Sequence, residues 1–171
     1  MLAAVHATVQ PRLSTGIRNS TNEPSVGKFV PVGTLSEARY KHTAVLLADG
    51  KVLVAGGSDA RDWRGQLASA ELYDSLSRSF QPLPAMHASC FKFPQAAVRL
   101  QSGDVLIAGG APIAEVFRPR KRSFVTVPSG FEARYFASAT LLDDGEVLVV
   151  VGYSQGAAGL PATSRAWLYR P

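Results

Sequence analysis

The chain has 171 residues, of which 46% are hydrophobic, 18% charged and 9% aromatic, a composition that supports one folded domain and excludes a disordered chain. The 18 basic residues against 13 acidic ones give a formal charge of +5, which favours acidic partners weakly and, with no nucleic-acid motif, predicts no nucleic-acid binding. Apolar runs such as Val147–Val151 are far shorter than the ~20 residues of a membrane span, and the single cysteine, Cys90, excludes a disulfide framework.

Residues 1–27 predict no regular structure. The segment is mildly apolar as far as Val9, but it carries His6, lacks a positively charged leader and is short for a secretory signal. We therefore expect a flexible N-terminal tail, and the sequence leaves the compartment undetermined.

An internal repeat is the strongest pattern, and repeats indicate architecture before local propensity does. Residues 43–57 read TAVLLADGKVLVAGG, residues 96–110 read AAVRLQSGDVLIAGG, and residues 138–152 read SATLLDDGEVLVVVG, with successive shifts of 53 and 42 residues. An aromatic block recurs at residues 70–73, 114–117 and 166–169, and a phenylalanine-led block at 29–32, 80–83 and 124–127.

Each unit predicts four strands, which we name a, b, c and d. Aliphatic and β-branched residues flank Asp49-Gly50, Ser102-Gly103 and Asp144-Gly145, dipeptides that indicate two-residue hairpin turns with positive φ. The long block therefore supplies strands a and b, the aromatic block strand c and the phenylalanine block strand d. No segment has the period of a helix, so we expect all-β units, each a four-stranded antiparallel meander.

Units of about 50 residues with four strands are typical of β-propeller blades, which are twisted sheets packed around an axis. Ala44, Ala97 and Ala139 share one position of strand a, where converging blades leave room for small side chains. The diglycines at residues 56–57 and 109–110 end strand b, where a missing Cβ permits an unusual backbone beside the next blade.

With these features the chain resembles the kelch repeat family, in particular the bacterial type that is similar to the propeller domain of galactose oxidase. The resemblance runs from about Phe29 to Pro171. In blade three Val151 replaces the first glycine, and phenylalanine stands where the family has a strand d tryptophan. The resemblance implies structural roles for Gly56, Gly57, Gly109, Gly110, Gly152, Tyr73, Phe117 and Tyr169.

The predicted fold is a kelch-type β-propeller fragment, an open arc of three four-stranded antiparallel blades over residues 28–171. Residues 28–33 are expected to form strand d of a preceding blade, followed by blade one at 34–83, blade two at 84–128 and blade three at 129–171, which lacks its strand d. Propellers close with roughly 4 to 8 blades, so two apolar blade faces need a cover. Either the chain is part of a longer propeller, which we favour, or two copies form a strand-exchanged homodimer that completes a six-bladed ring.

The predicted binding surface is the face that carries the long b–c loops and the d–a connections. Glu37-Ala-Arg-Tyr40 recurs as Glu132-Ala-Arg-Tyr135, and we assign Lys92 and Phe93 to the same positions of blade two. Such a ring of cations would capture carboxylates or phosphates, and the resemblance implies a pocket lined by arginines, as in kelch proteins that bind acidic peptides. The candidate residues are Arg39, Tyr40, Trp63, Arg64, Lys92, Phe93, Arg134, Tyr135 and Tyr153.

Structural explanations compete with this binding hypothesis. Arg39 and Arg134 can instead clamp Glu37, Glu132 or neighbouring blade carbonyls, and we favour that role because repeated positions are usually architectural. Trp63 is either an interface anchor or a loop residue packed on Tyr40 or the next blade. Trp167 stands where strand c of the other blades has glutamate, and we expect it to face solvent or a further blade.

Enzymatic function is the weaker hypothesis. The resemblance to galactose oxidase implies a copper site of two tyrosines, two histidines and a cysteine thioether, but the tyrosine before strand a aligns with Lys41 or Phe136, and Cys90 does not align with the cysteine. No nucleophile or phosphate-binding motif is found. We expect no catalytic residue, cofactor, metal or membrane partner. Three hypotheses remain: a scaffold that binds a protein, an acidic peptide or a glycan; part of a galactose oxidase-like enzyme; or a truncated gene remnant.

Overall fold

The computed structural model describes residues 27–128, 134–150, 152–153, 162 and 164–171, so the predicted tail up to residue 26 lies outside it. The chain divides into two units, Met1–Pro31 and Val32–Pro171. Every strand that the structure describes belongs to the second unit.

The described strands form three antiparallel sheets, each a meander. Blade one consists of β1 Thr43–Leu46, β2 Val52–Ala55, β3 Ala70–Asp74 and β4 Ser79–Pro82. Blade two consists of β5 Ala97–Arg99, β6 Val105–Ile107, β7 Ala114–Arg118 and β8 Ser123–Val127. Blade three consists of β9 Ser138–Leu141, β10 Val147–Val150 and β11 Ala166–Tyr169. A short 3₁₀ turn, Asp62–Arg64, lies in the b–c loop of blade one. The all-β kelch-type fold is confirmed, with four, four and three strands.

Residues 28–33, which we predicted to be strand d of a preceding blade, form no strand. Strand d of a blade is held by backbone hydrogen bonds to its own strand c, as β4 is held by β3. Residues 28–33 pair with no strand c in the sheets of the described residues.

The turns between strands a and b are one residue longer than we predicted. Leu47 N–H donates to Lys51 O at 2.8 Å and Gly50 N–H donates to Leu47 O at 3.2 Å, which closes a three-residue loop with glycine in the left-handed position. Gly50, Gly103 and Gly145 have φ of +82°, +89° and +89°. Positive φ is therefore confirmed, whereas the two-residue turn is wrong.

The core lies between the blades, and the middle sheet buries apolar side chains on both faces. In blade two, Val105, Leu106 and Ile107 are at most 1% exposed, since blade one covers one face and blade three the other. The innermost strands follow one another in space, with β1 beside β5 and β5 beside β9. At the outer side, aromatic pairs join strands c and d, with ring centroids 5.0 Å apart for Tyr73–Phe80 and 4.9 Å for Phe117–Phe124.

Backbone hydrogen bonds join neighbouring blades and repeat from one blade to the next. Gly57 N–H donates to Cys90 O and Gly110 N–H donates to Arg134 O, both at 2.7 Å. Gly57 has a φ of +94°, and a Cβ there would lie 2.6 Å from Tyr40 O, so the predicted structural role of the second diglycine residue is explained by both conformation and space. A second series runs from Lys92 N–H to Lys41 O at 3.1 Å and from Phe136 N–H to Lys92 O at 2.6 Å.

Candidate functional site

These inter-blade bonds define which residues of the three blades are equivalent. Lys41, Lys92 and Phe136 all have positive φ, at 57°, 57° and 55°, and they form one series of hydrogen bonds. It follows that Cys90 in blade two is equivalent to Arg39 and Arg134, and Phe91 is equivalent to Tyr40 and Tyr135. Our assignment of Lys92 and Phe93 to those positions is wrong, because blade two has two additional residues between the left-handed residue and strand a.

The Arg39 side chain points into the protein. Its guanidinium is fully buried and donates to Gly56 O at 2.8 Å, Ser69 O at 3.0 Å, Ser69 Oγ at 3.0 Å and Glu71 Oε1 at 3.2 Å. The side chain therefore clamps the ends of β2 and β3, which is the role that we favoured for Arg39 over ligand binding. Arg134 is buried as well, whereas Glu132 lies outside the described residues.

In blade two, a buried glutamate holds the connection that leads to strand a, and it does so without an arginine. Glu115 is fully buried and accepts hydrogen bonds from His87 N–H and Ala88 N–H, each at 3.0 Å, and lies 2.8 Å from His87 Nδ1. In blade one, Glu71 likewise accepts from Ser36 N–H at 3.0 Å. The equivalent residue of blade three is Trp167, which shares a sheet face with Val149 and packs on the core beside blade two. Our expectation that Trp167 faces solvent or a further blade is wrong.

An aromatic cluster occupies the long-loop face where the three blades meet. The Trp63 ring packs edge-on against Phe91 and Tyr135, with centroid distances of 4.7 Å and 5.0 Å. Tyr153 continues the cluster 5.7 Å from Tyr135. Of the two roles considered for Trp63, the structure shows the packed one, in which the b–c loop of blade one reaches across to blades two and three.

Lys92 lies within this cluster. Its Nζ is 3.8 Å from the centroid of Trp63 and 5.2 Å from that of Phe91, and it donates to the Tyr153 hydroxyl at 3.4 Å. The residue is only 8% exposed. Among the described residues, no carboxylate lies within ion-pair distance of this ammonium. Aromatic faces attract the cation, and the Asp62 carboxylate interacts with it only at longer range.

Lys41 forms the more accessible edge of the same site. Its Nζ donates to Asp62 Oδ1 at 2.7 Å and lies 4.8 Å from the centroid of Tyr40. That hydrogen bond lowers the pKa of Asp62, and the charge of Lys92 lowers it further. Tyr40 and Phe136 expose their rings beside the lysines. We name the lysine–aromatic site as the set Tyr40, Lys41, Trp63, Phe91, Lys92, Tyr135, Phe136 and Tyr153.

The lysine–aromatic site contains some of the predicted binding residues, and the other residues of the site were not predicted. Phe93 is fully buried between blades and contacts the positions of Gly56 and Gly110, so its predicted place on the binding face is wrong. Arg64 is exposed in the b–c loop of blade one. Sequence reasoning missed Lys41, Phe91 and Phe136, and the signal that could have found them is the aromatic residue followed by one variable residue before each strand a.

Comparisons with known proteins agree with this fold. A family model described as the kelch motif matches residues 39–87. A search of curated proteins finds no match. Among solved structures, one similar chain is a fungal alcohol oxidase of the AA5 family, in complex with copper, with a TM-score of 0.56 and 18% identity. The alignment covers 67% of this chain and 27% of the oxidase chain, so this chain spans about a quarter of that protein.

Three stacked antiparallel sheets with repeated inter-blade bonds define a β-propeller-type repeat protein, in which the described sheets do not close into a ring. Residues 39–87 match the kelch motif, and the fold of the described blades is similar to that of the AA5 oxidase.

The residues at this face do not fit the copper site that the fold family implies. Lys41 is engaged by Asp62, and Phe136 carries no donor atom. Cys90 is buried, and burial raises the pKa of its thiol. Within the described chain, no three His, Cys, Asp or Glu side chains converge to hold a metal ion. That part of the chain also contains no helix with the length and hydropathy of a membrane span.

Proposed function

We propose that this kelch protein is a binding scaffold whose lysine–aromatic site holds an acidic peptide segment. In this proposal the ammonium groups of Lys92 and Lys41 pair with carboxylates of the peptide. The exposed rings of Tyr40 and Phe136 contact the apolar side chains that flank those carboxylates.

Lys92 carries the proposal. Burial of a charge is costly unless the charge is paired and hydrogen-bonded, and the ammonium of Lys92 has one long hydrogen bond and aromatic faces around it. A carboxylate of the peptide that reaches Lys92 supplies a direct ion pair. Because the surrounding rings exclude water, that ion pair is stronger than one at an open surface.

The chemistry of the walls favours a peptide over a glycan. Sugar recognition needs several polar side chains to pair with hydroxyl groups, and the described residues of the site offer phenols and lysines, while the Asp62 carboxylate is already engaged by Lys41. A peptide with alternating carboxylate and apolar side chains matches the ammonium groups and aromatic rings of the site.

The proposal is tested with a fluorescently labelled peptide of alternating glutamate and leucine, titrated with the full chain. Lys92→Met keeps the aliphatic packing, removes the charge and is expected to weaken binding at least tenfold, about 1.4 kcal/mol. Lys121→Met is the matched control, because it removes the same charge from an exposed turn on the opposite face. Raised salt is expected to weaken binding to the unmodified protein.

Equal affinity of the unmodified protein and Lys92→Met would overturn the proposal, as would an equal loss in Lys121→Met. An acidic oligosaccharide serves as the second probe. Binding of that probe in place of the peptide, with the same dependence on Lys92, would overturn the assignment of a peptide ligand. The location of the binding site would still hold. Thermal unfolding of both variants checks that neither substitution disrupts the fold.

A further inference from the structure

The carboxylate of Asp62 already lies at the lysine–aromatic site. It accepts a hydrogen bond from Lys41 Nζ at 2.7 Å, and the charge of Lys92 acts on it at longer range. Among the described residues, no other carboxylate lies within ion-pair distance of either ammonium group. The protein therefore places an anion of its own where the proposed function places an anion of the ligand.

The loop backbone aims this carboxylate at the lysines. Asp62 N–H donates to Asp59 O at 3.0 Å, and Asp62 O accepts from Gly65 N–H at 2.9 Å. The next residue, Trp63, is held by its ring contacts in the aromatic cluster. The side chain of Asp62 is nevertheless 39% exposed. Its carboxylate can thus leave Lys41 by rotation of the side chain toward solvent, while the loop stays in place.

The two ammonium groups differ in what a ligand has to displace. Both lie beside one ring, with Lys41 Nζ 5.9 Å and Lys92 Nζ 5.2 Å from the centroid of Phe91. Alternate side chains of an extended peptide lie ~7 Å apart on one side of the chain, so two carboxylates of such a peptide reach both lysines. In the described chain, the carboxylate that reaches Lys92 displaces no ion pair, whereas the one that reaches Lys41 meets Asp62.

We infer that Asp62 is a specificity-determining residue, which competes with the second carboxylate of an acidic peptide for Lys41. The inference rests on the proposed function and adds to it the class of peptide that is preferred. Two carboxylates that share one ammonium repel each other, so the second carboxylate of a peptide adds little affinity while Asp62 is charged. The site therefore favours a peptide with one carboxylate between apolar side chains over a more acidic one.

Fluorescently labelled peptides with one and with two carboxylates test the inference on the full chain. One peptide contains glutamate–leucine–glutamate, and two others carry glutamine in place of either glutamate. Asp62→Asn removes the charge and keeps the shape, and asparagine tolerates the φ of +54° at this position. The variant is expected to bind the two-glutamate peptide about fivefold more tightly, equivalent to ~1 kcal/mol, the upper value for a solvent-accessible ion pair. Single-glutamate peptides are expected to gain less than about twofold.

Two controls assign the gain to the contact with Lys41. Asp59→Asn removes a carboxylate of the same loop that is bonded to Arg61, and no gain is expected. In a Lys41→Met background, Asp62→Asn is expected to help the two-glutamate peptide no more than the single-glutamate peptides, because the contact that it breaks is already absent. Thermal unfolding checks that each variant is folded.

The outcomes separate this inference from the proposed function. Unchanged or weaker binding of the two-glutamate peptide by Asp62→Asn would overturn the inference, and the proposed function would stand if binding still depends on Lys92. An equal gain for peptides with one and two carboxylates, or the same gain in Asp59→Asn, indicates a general effect of charge and would also overturn the inference. If the unmodified protein binds none of these peptides, the proposed function itself is wrong, and the inference falls with it.

Discussion

Removal of the Arg39 side chain tests whether the repeated arginine is a structural clamp. Arg39→Ala deletes four hydrogen bonds at distances of 2.8–3.2 Å and leaves the Glu71 carboxylate, which is 2% exposed, without its cation. Loss of one partner from a buried ion pair costs about 3–5 kcal/mol, because the remaining charge stays buried and uncompensated. For a chain of this size each kcal/mol corresponds to ~2–4 °C, so we expect the melting temperature to fall by roughly 6–20 °C.

Urea unfolding followed by far-UV circular dichroism measures this loss, and a double-mutant cycle assigns it. Glu71→Ala is expected to cost less in the Arg39→Ala background than alone, because the pair is already broken. Arg61→Ala is the control, since Arg61 forms its ion pair with Asp59 at an exposed loop, and no resolvable change is expected. Acidic peptide binding at the lysine–aromatic site should survive Arg39→Ala under conditions where the variant is folded. An unfolding free energy within about 1 kcal/mol of the unmodified protein would refute the clamp. It would mean that burial of the Glu71 carboxylate without its cation costs almost nothing.

Two further predictions concern the backbone and pH. Gly57→Ala is expected to destabilise the chain more than Gly50→Ala, because both residues have positive φ but only the Gly57 Cβ would meet a neighbour, Tyr40 O at 2.6 Å; equal urea midpoints for the two variants would contradict this. Burial, and then the charge of Arg39, lower the pKa of His42, so the unfolded chain binds a proton that the folded chain does not. Stability should therefore fall as pH drops below about 6.5. His42→Gln should reduce this loss of stability. If the urea midpoint of the variant depends on pH as that of the unmodified protein does, His42 is not its cause.

The blades could be predicted from the sequence because their signals are local. Alternating aliphatic strands, the glycine of each a–b turn and the aromatic residues of strands c and d lie within single units, and each pairs with a neighbour close in sequence. The position before strand a could not be predicted as well. Left-handed φ at Lys41, Lys92 and Phe136 has no sequence signature, and the additional residues in blade two displaced the alignment there.

The surroundings of Arg39 and Lys92 could not be predicted from the sequence of one repeat either. An arginine before strand a suits a ligand or a buried glutamate equally well, and the decision depends on Glu71, which reaches it from strand c, 32 residues later in the chain. Lys92 was predicted as one of several equivalent cations, whereas its burial against Trp63 follows from a loop of the preceding blade. Contacts between residues distant in sequence decide both cases, within blade one for Arg39 and between blades one and two for Lys92.

A comparison of the three blades distinguishes positions that support the fold from positions that are available for ligand binding. Glu71 and Glu115 hold the same backbone connection through the same carboxylate, although one is completed by Arg39 and the other by His87. The left-handed residue takes part in the inter-blade backbone hydrogen bonds in all three blades, while its side chain changes from Lys41 to Lys92 to Phe136. Where the fold depends on the backbone of a residue and not on its side chain, the side chain can vary without loss of stability. We propose that the loop face binds its ligand at these residues, whereas the buried Arg39 holds the ends of the neighbouring strands.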